Sequence, residues 1–142
     1  MKFRLSGHGA YKTEYHVVWI TKYRRKLFNP GLASYLKKII YEEAKIIPGV
    51  EIDEINVQED HVHMMVEIPP KYSVSEVVRI LKGGSARVIR QRIKYLSKMH
   101  TRKDEIWSPG YFVSTVGINE NIIRNYVKHQ RDRDSGQAKL DL

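Results

Sequence analysis

A strictly alternating segment, residues 60–68 (DHVHMMVEI), constrains the fold of this chain more than any other part of its sequence. Apolar residues such as Val62 and Met64 alternate with His61 and His63, which is the pattern of a β-strand with one apolar face. Both imidazoles then lie on the other face, roughly 6.5 Å apart along the strand. The pair can lean toward one metal ion or phosphate, although a metal still needs a third ligand. Two solvated histidines on the wet face of a sheet are the alternative.

A second segment near the C-terminus has the pattern of a helix. Asn119 is its expected N-cap, and Glu120 lies in the first turn, where the helix dipole favours an acidic side chain. Tyr126 and Gln130 are one turn apart and therefore share a helical face. Val127 and other apolar residues form a stripe beside them, so Tyr126 can equally be a residue of the core.

The remaining elements predict the order β-α-β-β-α-β-α. A strand over residues 15–21 is followed by a helix that begins at Asn29 and Pro30 and ends before Gly49. A strand over residues 50–58 has a phase slip near Asp53 that indicates a bulge, and it forms a hairpin with the histidine strand.

The second helix begins at a capping box over residues 73–76 and contains Gly83 and Gly84, which mark a bend or a close approach of another backbone. A strand over residues 111–116 precedes the tyrosine helix. We therefore expect an α+β fold, ferredoxin-like or RNA-recognition-motif-like. It has a split β-α-β arrangement, a mainly antiparallel sheet with helices on one side, and an additional C-terminal helix that carries the tyrosine.

Length and composition bound the domain organisation. The 142 residues, 42% of them hydrophobic, suit one domain over residues 1–142, in which the polar residues 131–142 form a loosely held tail. The absence of cysteine excludes a disulfide scaffold, thiolate metal sites and a cysteine nucleophile. The N-terminus lacks an apolar signal region, and no segment reaches transmembrane length, so we expect a cytoplasmic protein with no membrane partner.

The net charge of +9 points toward a polyanionic partner, with nucleic acid as the first candidate. A basic cluster surrounds Tyr23 and consists of Lys22, Arg24, Arg25 and Lys26. Basic residues interleaved with an aromatic one can both neutralise phosphates and stack bases.

Taken together, these segments resemble a known family. The segments that carry the resemblance are residues 15–25 (YHVVWITKYRR), 60–63 (DHVH), 82–87 (KGGSAR), 107–111 (WSPGY) and the final helix. In this order they are similar to the HUH single-tyrosine transposases (TnpA) of small bacterial and archaeal insertion sequences, which include REP-associated tyrosine transposases. The family tends to carry serines where Gly84 and Ala86 stand in this chain.

The resemblance implies a DNA transposase. Members cut and rejoin single-stranded DNA through a 5′-phosphotyrosine, and in this way excise and insert an insertion sequence. By resemblance, Tyr126 is the nucleophile and His61, His63 and Gln130 bind a divalent metal, Mg²⁺ or Mn²⁺. The residues assigned to DNA binding are Lys22, Arg24, Arg25, Lys26, Lys82 and Arg87. The implied partners are single-stranded DNA, with hairpins at the element ends, and a second copy of the chain, with Tyr126 acting in cis or in trans.

Two other functions fit parts of the sequence. A non-catalytic nucleic-acid-binding domain of the RNA-recognition-motif type would bind without cutting. A phosphoesterase with water as nucleophile would use His61 and His63 as acid and base. Neither needs Tyr126 and Gln130 on one helical face. His16 falls on the Val18 side of its strand, and we expect it to be a core histidine.

Overall fold

A computed structural model describes residues 4–6, 9–11, 13–92, 106–115 and 120–134. The elements in chain order are β1 (Arg4–Ser6), β2 (Gly9–Tyr11), β3 (Glu14–Ile20), α1 (Pro30–Lys45), β4 (Glu51–Val57), β5 (His61–Glu67), α2 (Val74–Arg92), β6 (Phe112–Thr115) and α3 (Glu120–Asp134). A short 3₁₀ turn, Lys22–Arg24, follows β3.

The main sheet has the strand order β4-β5-β3-β6, and each neighbouring pair is antiparallel. The first and third of its strands along the chain thus lie at the centre, as in ferredoxin-like folds. The predicted α+β fold is confirmed, including the hairpin between β4 and β5. The bulge expected near Asp53 is present as a register shift between Ile52 and Glu54.

The register between β3 and β5 decides which side chains share a face. Trp19 lies opposite Val62, and Val17 lies opposite Met64, so these apolar residues occupy one face of the sheet. Helices α1 and α2 cover that face and complete the larger core, in which Leu36, Ile40, Leu81 and Ile89 are at most 1% exposed. The expectation of helices on one side of the sheet therefore holds for α1 and α2.

The third helix covers part of the opposite face. Val18 and Ile20 of β3 pack there with Tyr126 and Val127 of α3, and Phe112 of β6 lies against them. The domain therefore has three layers, with the sheet between the helix pair α1 and α2 and the single helix α3.

Two helix starts follow their sequence signals. The Asn29 side-chain oxygen accepts a hydrogen bond from the Leu32 N–H at 2.8 Å, and the Ser73 hydroxyl accepts one from the Glu76 N–H at 3.1 Å. The expected N-cap of α3, Asn119, lies outside the described residues.

Two features differ from the sequence prediction. Strands β1 and β2 form a small antiparallel hairpin that the pattern did not indicate. Helix α3 continues to Asp134, so residues 131–134 are helical instead of belonging to the expected tail. The extension has a tertiary cause, because the Asp134 carboxylate accepts hydrogen bonds from the Ser108 hydroxyl and the Tyr23 backbone N–H. Residues 135–142 lie outside the described residues.

Helix α2 runs unbroken through Gly83 and Gly84, so the bend is absent, and the group that approaches Gly84 is a side chain of α1 instead of another backbone. A Cβ atom on Gly84 would lie 2.5 Å from a carboxylate oxygen of Glu43 in α1, whereas one on Gly83 would meet nothing within 4 Å. No helix in the described part of the chain is long and apolar enough to span a bilayer.

The glycines give a matched test of the backbone. Gly49 ends the α1 region with φ +84°, and a Cβ there would lie 2.6 Å from Cγ of Pro69. We expect Gly49→Ala to lower the free energy of unfolding by about 1–2 kcal/mol or more, because the left-handed conformation disfavours a side chain. Gly83→Ala should raise it by about 0.5–1 kcal/mol through helix propensity. Urea unfolding gives the free energy of unfolding of both variants. Equal stability of the two would contradict the left-handed conformation assigned to Gly49.

Candidate active site

An open cavity of about 920 Å³ lies on the α3 side of the sheet. Strands β3, β4 and β5, the 3₁₀ turn and α3 all contribute to it, and the lining residues are His16, Arg24, Glu54, Asn56, Gln58, His61, His63, Met64, Met65, Val127, Lys128 and Arg131. The volume suits a ligand of about the size of a nucleotide. Both histidines of the alternating segment thus line one cavity, as predicted for a shared face.

Asp60 holds the His61 ring in place. One carboxylate oxygen of Asp60 lies 2.8 Å from Nδ1 of His61, and the other accepts a hydrogen bond from Nε of Arg24 at 2.7 Å. An ionised carboxylate can only accept, so Nδ1 of His61 carries the proton. In the neutral form of this ring Nε2 carries the lone pair, which is what a metal ligand needs.

The charge state of Asp60 supports this assignment. Burial by itself raises the pKa of Asp60, but the hydrogen bond from His61 and the positive charge of Arg24 outweigh it and hold the pKa below its ordinary value of 3.8. The carboxylate is therefore ionised at neutral pH. Its contribution to stability is fully present above pH 3.8 and is lost as the pH falls through the lowered pKa.

His16 makes a direct contact with the second histidine. Nδ1 of His16 lies 3.2 Å from Nε2 of His63, and the ring centroids are 5.4 Å apart. One of these two nitrogens carries the proton of the hydrogen bond. His16 is thus a half-buried cavity residue that orients His63, and our expectation of a core histidine was wrong because α3 leaves this end of the sheet face open.

Tyr126 and Gln130 share the buried face of α3, as their spacing predicted. Tyr126 is 6% exposed, its hydroxyl is buried, and its ring lies 5.1 Å from that of Phe112. The residues of α3 that line the histidine cavity are its neighbours Val127, Lys128 and Arg131. The structure therefore brings the tyrosine helix to the site without placing Tyr126 on the cavity wall.

Gln130 takes part in a hydrogen-bond network at the base of α3. Its side-chain amide nitrogen donates to the Ser108 hydroxyl and to the Pro109 carbonyl, both at 3.1 Å. The Ser108 hydroxyl in turn donates to the Asp134 carboxylate at 2.6 Å. Gln130 is 5% exposed and is not among the residues that line the histidine cavity. The network fixes α3 against the loop that precedes β6.

The predicted DNA-binding residues fall in two places. Arg24 lines the cavity and is paired with Asp60. Near it, the Nε–H of Arg25 donates to the Lys22 carbonyl, and Lys26 is exposed with a long 3.9 Å contact to Glu59.

Lys82 and Arg87 belong to α2, on the other side of the sheet. The Lys82 ammonium group donates to the carbonyls of Ser108 and Gly110 at 2.9 and 2.8 Å, which fastens the loop before β6 to α2. Arg87 is exposed on the helix surface.

Sequence reasoning missed several cavity residues. Lys128 and Arg131 follow Tyr126 and Gln130 in the chain, and residues 127, 128 and 131 lie on adjoining positions of one helical face. That spacing is a signal which could have identified them. The contact of His16 with His63 has no comparable signal, because it depends on the pairing of two strands that are far apart in sequence.

The histidine pair offers imidazole nitrogens on the wall of the cavity. Asp60 leaves Nε2 of His61 available, and imidazole nitrogens suit several divalent metals. A separate acidic cluster lies near the other end of β5, where carboxylate oxygens of Glu14, Asp53 and Glu67 approach within 4.8 Å of one another. Such a cluster offers the oxygen ligands that hard cations prefer.

Comparison with known sequences gives a consistent result. A family model described as "Transposase IS200 like" matches residues 9–130. The chain is 37% identical over 140 residues to the transposase of insertion sequence IS200 from Salmonella typhimurium, covering 96% of this chain and 88% of the relative. It is 33% identical over 131 residues to the ISDra2 transposase TnpA of Deinococcus radiodurans, covering 90% and 91% of the two chains.

Solved structures agree with this result. A crystal structure of a transposase from Deinococcus radiodurans superimposes with a TM-score of 0.79 at 32% identity, covering 92% of this chain and 98% of the other. A REP-associated tyrosine transposase bound to a REP hairpin shares the fold, with a TM-score of 0.55 at 16% identity over 97% and 91% of the two chains. The chain therefore belongs to the IS200-like transposases, enzymes that cleave DNA to move insertion sequences.

Proposed function

We propose that this transposase cuts and rejoins single-stranded DNA, with Tyr126 as nucleophile and a divalent metal bound by His61 and His63. The observation that carries the proposal is the arrangement of the cavity. Asp60 orients one histidine, His16 orients the other, and the helix that bears Tyr126 forms the cavity wall beside them.

The ligands at the site are neutral imidazoles. They suit several divalent metals, and we propose Mg²⁺ or Mn²⁺ because the family resemblance favours these ions. The metal would polarise the scissile phosphate and neutralise charge that develops on it. Gln130 is the proposed third protein ligand, which requires its amide to leave Ser108 and Pro109.

The covalent step balances without a further reactant. The phenolic oxygen of Tyr126 forms a bond to phosphorus, the bond from phosphorus to the 3′ oxygen breaks, and the phenolic proton is transferred to give a free 3′-hydroxyl. The 5′ end stays attached to the enzyme as a phosphotyrosine, and attack by another 3′-hydroxyl rejoins the strand. Lys128 and Arg131 line the cavity as cations that can offset the charge on phosphate oxygens.

The buried position of the Tyr126 hydroxyl adds a requirement. Either α3 shifts so that Tyr126 reaches the histidine cavity of its own chain, or α3 of a second copy supplies the tyrosine. We propose a homodimer that uses one of these routes. Within the described residues, Tyr126 and Val127 pack on Val18 and Ile20, and Gln130 and Asp134 are bonded to Ser108, so a shift of α3 must break these contacts.

The proposed DNA partner is single-stranded, with hairpins at the ends of the element. The net charge of +9 favours a phosphate backbone, and a relative with the same fold binds a REP hairpin. We propose that Lys22, Arg25 and Lys26 contact DNA near the cavity. Arg24 acts mainly through Asp60, Lys82 mainly fastens a loop, and Arg87 offers a contact on the other side of the sheet.

Removal of one hydroxyl group tests the nucleophile. We expect Tyr126→Phe to abolish the covalent adduct between protein and DNA and to lower cleavage by at least about a thousandfold, because no other group replaces the attacking oxygen. Labelled single-stranded oligonucleotides are incubated with Mn²⁺ and resolved on a denaturing gel. Tyr111→Phe, the same change at the residue before β6, should cut normally. Cleavage by Tyr126→Phe without an adduct would indicate the phosphoesterase, and binding without cleavage by the wild type would indicate the binding module.

A mixture of two inactive variants decides where the tyrosine acts. Tyr126→Phe keeps the histidine site and His61→Ala keeps the tyrosine, so mixed dimers contain one intact site only if α3 serves its partner. Restored cleavage, up to about a quarter of the wild-type rate if chains mix randomly, would establish action in trans. No restoration in dimers shown to have exchanged subunits would establish action in cis.

Substitution of Asp60 tests the histidine geometry independently of activity. We expect Asp60→Asn to weaken Mn²⁺ binding by about 10- to 100-fold, because the amide no longer fixes Nδ1 of His61 as a donor. Glu59→Gln is the matched control, since the Glu59 side chain is exposed and its ion pair within the described residues is the 3.9 Å contact with Lys26. Calorimetry of both variants with Mn²⁺ gives the comparison, and equal affinities would remove Asp60 from the metal site.

A further inference from the structure

We propose that Tyr23 is a stacking platform for a nucleobase of the DNA strand that enters the histidine cavity. The inference rests on the proposed single-stranded substrate and adds a residue that contacts a base, whereas the basic residues around it contact phosphates.

Tyr23 is unusually exposed for a large aromatic residue. Its side chain is 57% exposed, and within the described residues the only other large hydrophobic residue that is exposed is Ile46. Nζ of Lys22 lies 5.3 Å from the centroid of the Tyr23 ring. An exposed ring beside cations is the arrangement by which proteins hold single-stranded nucleic acid without reading its sequence.

The backbone under this ring is strained. Tyr23 and Arg24 both have φ of 56°, in the left-handed region that residues other than glycine and asparagine rarely adopt. Glycine or asparagine would occupy such a position at lower cost, yet the chain carries a bulky aromatic there. Strain of this kind persists only where the surroundings impose it, and it concentrates at functional positions.

Hydrogen bonds to neighbouring segments hold the backbone of this turn in the left-handed conformation. The Tyr23 N–H donates to the Asp134 carboxylate at 3.2 Å, and the Arg24 N–H donates to the Thr21 carbonyl at 2.9 Å. Arg24 is further held by its 2.7 Å bond to Asp60. The ring is therefore presented by a fixed backbone, which reduces the ordering that a bound base would require.

The position of the turn connects it to the active site. It directly follows β3, whose last residue, Ile20, lies opposite His61 in the sheet. Arg24 lines the histidine cavity, and Asp134 ties the turn to the tyrosine helix. A strand with a phosphate at the histidines therefore passes this turn, where Tyr23 can stack a base close to the cleavage point.

The test separates base contacts from phosphate contacts. We would measure binding, without metal so that no cleavage occurs, to a labelled oligothymidylate of about 16 nucleotides and to an abasic chain of the same length. Tyr23→Asn removes the ring and keeps a residue that tolerates φ of 56°. We expect it to weaken oligothymidylate binding by about 5- to 150-fold and to leave abasic binding unchanged. Tyr23→Phe, which retains the ring, should bind like the wild type.

Lys26→Ala is the matched control, because Lys26 is exposed in the same cluster and lacks a ring. It should weaken binding to both chains equally and lower the salt dependence. The stacking role is overturned if Tyr23→Asn binds oligothymidylate as the wild type does, or if it loses affinity equally for both chains while its thermal unfolding matches the wild type. Neither of these two results would contradict the proposed cleavage reaction, provided that the covalent adduct between Tyr126 and DNA still forms. Failure of the wild type to bind oligothymidylate would also overturn the stacking role, whereas the adduct assay tests the cleavage reaction separately.

Discussion

The pairing of β3 with β5 is the constraint on which the rest of the structure depends. Val18 lies opposite His63 and Ile20 opposite His61, so one face carries the histidines while Trp19 and Val62 turn to the other. Because side chains alternate with a period of two, a slip of one residue would bury both imidazoles among apolar side chains. The large core under α1 and α2 therefore fixes the site on the opposite face as well as the fold.

Two polar networks give that face its chemistry. Asp60 joins Arg24 to His61 and fixes the protonated nitrogen of the ring. At the C-terminal end of α3, the Asp134 carboxylate connects Ser108 to the strained turn at Tyr23. Each network centres on a carboxylate that links segments far apart in sequence. Hydrogen bonds therefore connect the histidine face to the basic turn, and the basic turn to the tyrosine helix.

In α3 the proposed nucleophile, Tyr126, is also a residue of a small apolar cluster. Tyr126 packs on Phe112 in a small cluster, while Lys128 and Arg131 of the same helix face the cavity. Within the described residues, the apolar contacts of α3 are separate from the main core under α1 and α2. The movement of Tyr126 that we propose would break this cluster and the hydrogen bonds of Gln130 and Asp134, and would leave the main core intact.

The sequence by itself determined the order of the elements from β3 onward, the alternation that puts His61 and His63 on one face, the caps at Asn29 and Ser73, and the shared face of Tyr126 and Gln130. These are local features, set by helical and strand periodicity and by hydrogen bonds within a few residues. Only the tertiary structure decided that His16 meets His63, that Gln130 is bonded to Ser108, and that α3 continues to Asp134. Each of these depends on contacts between segments that are distant in sequence, and no local pattern records which distant residues will meet once the sheet is assembled.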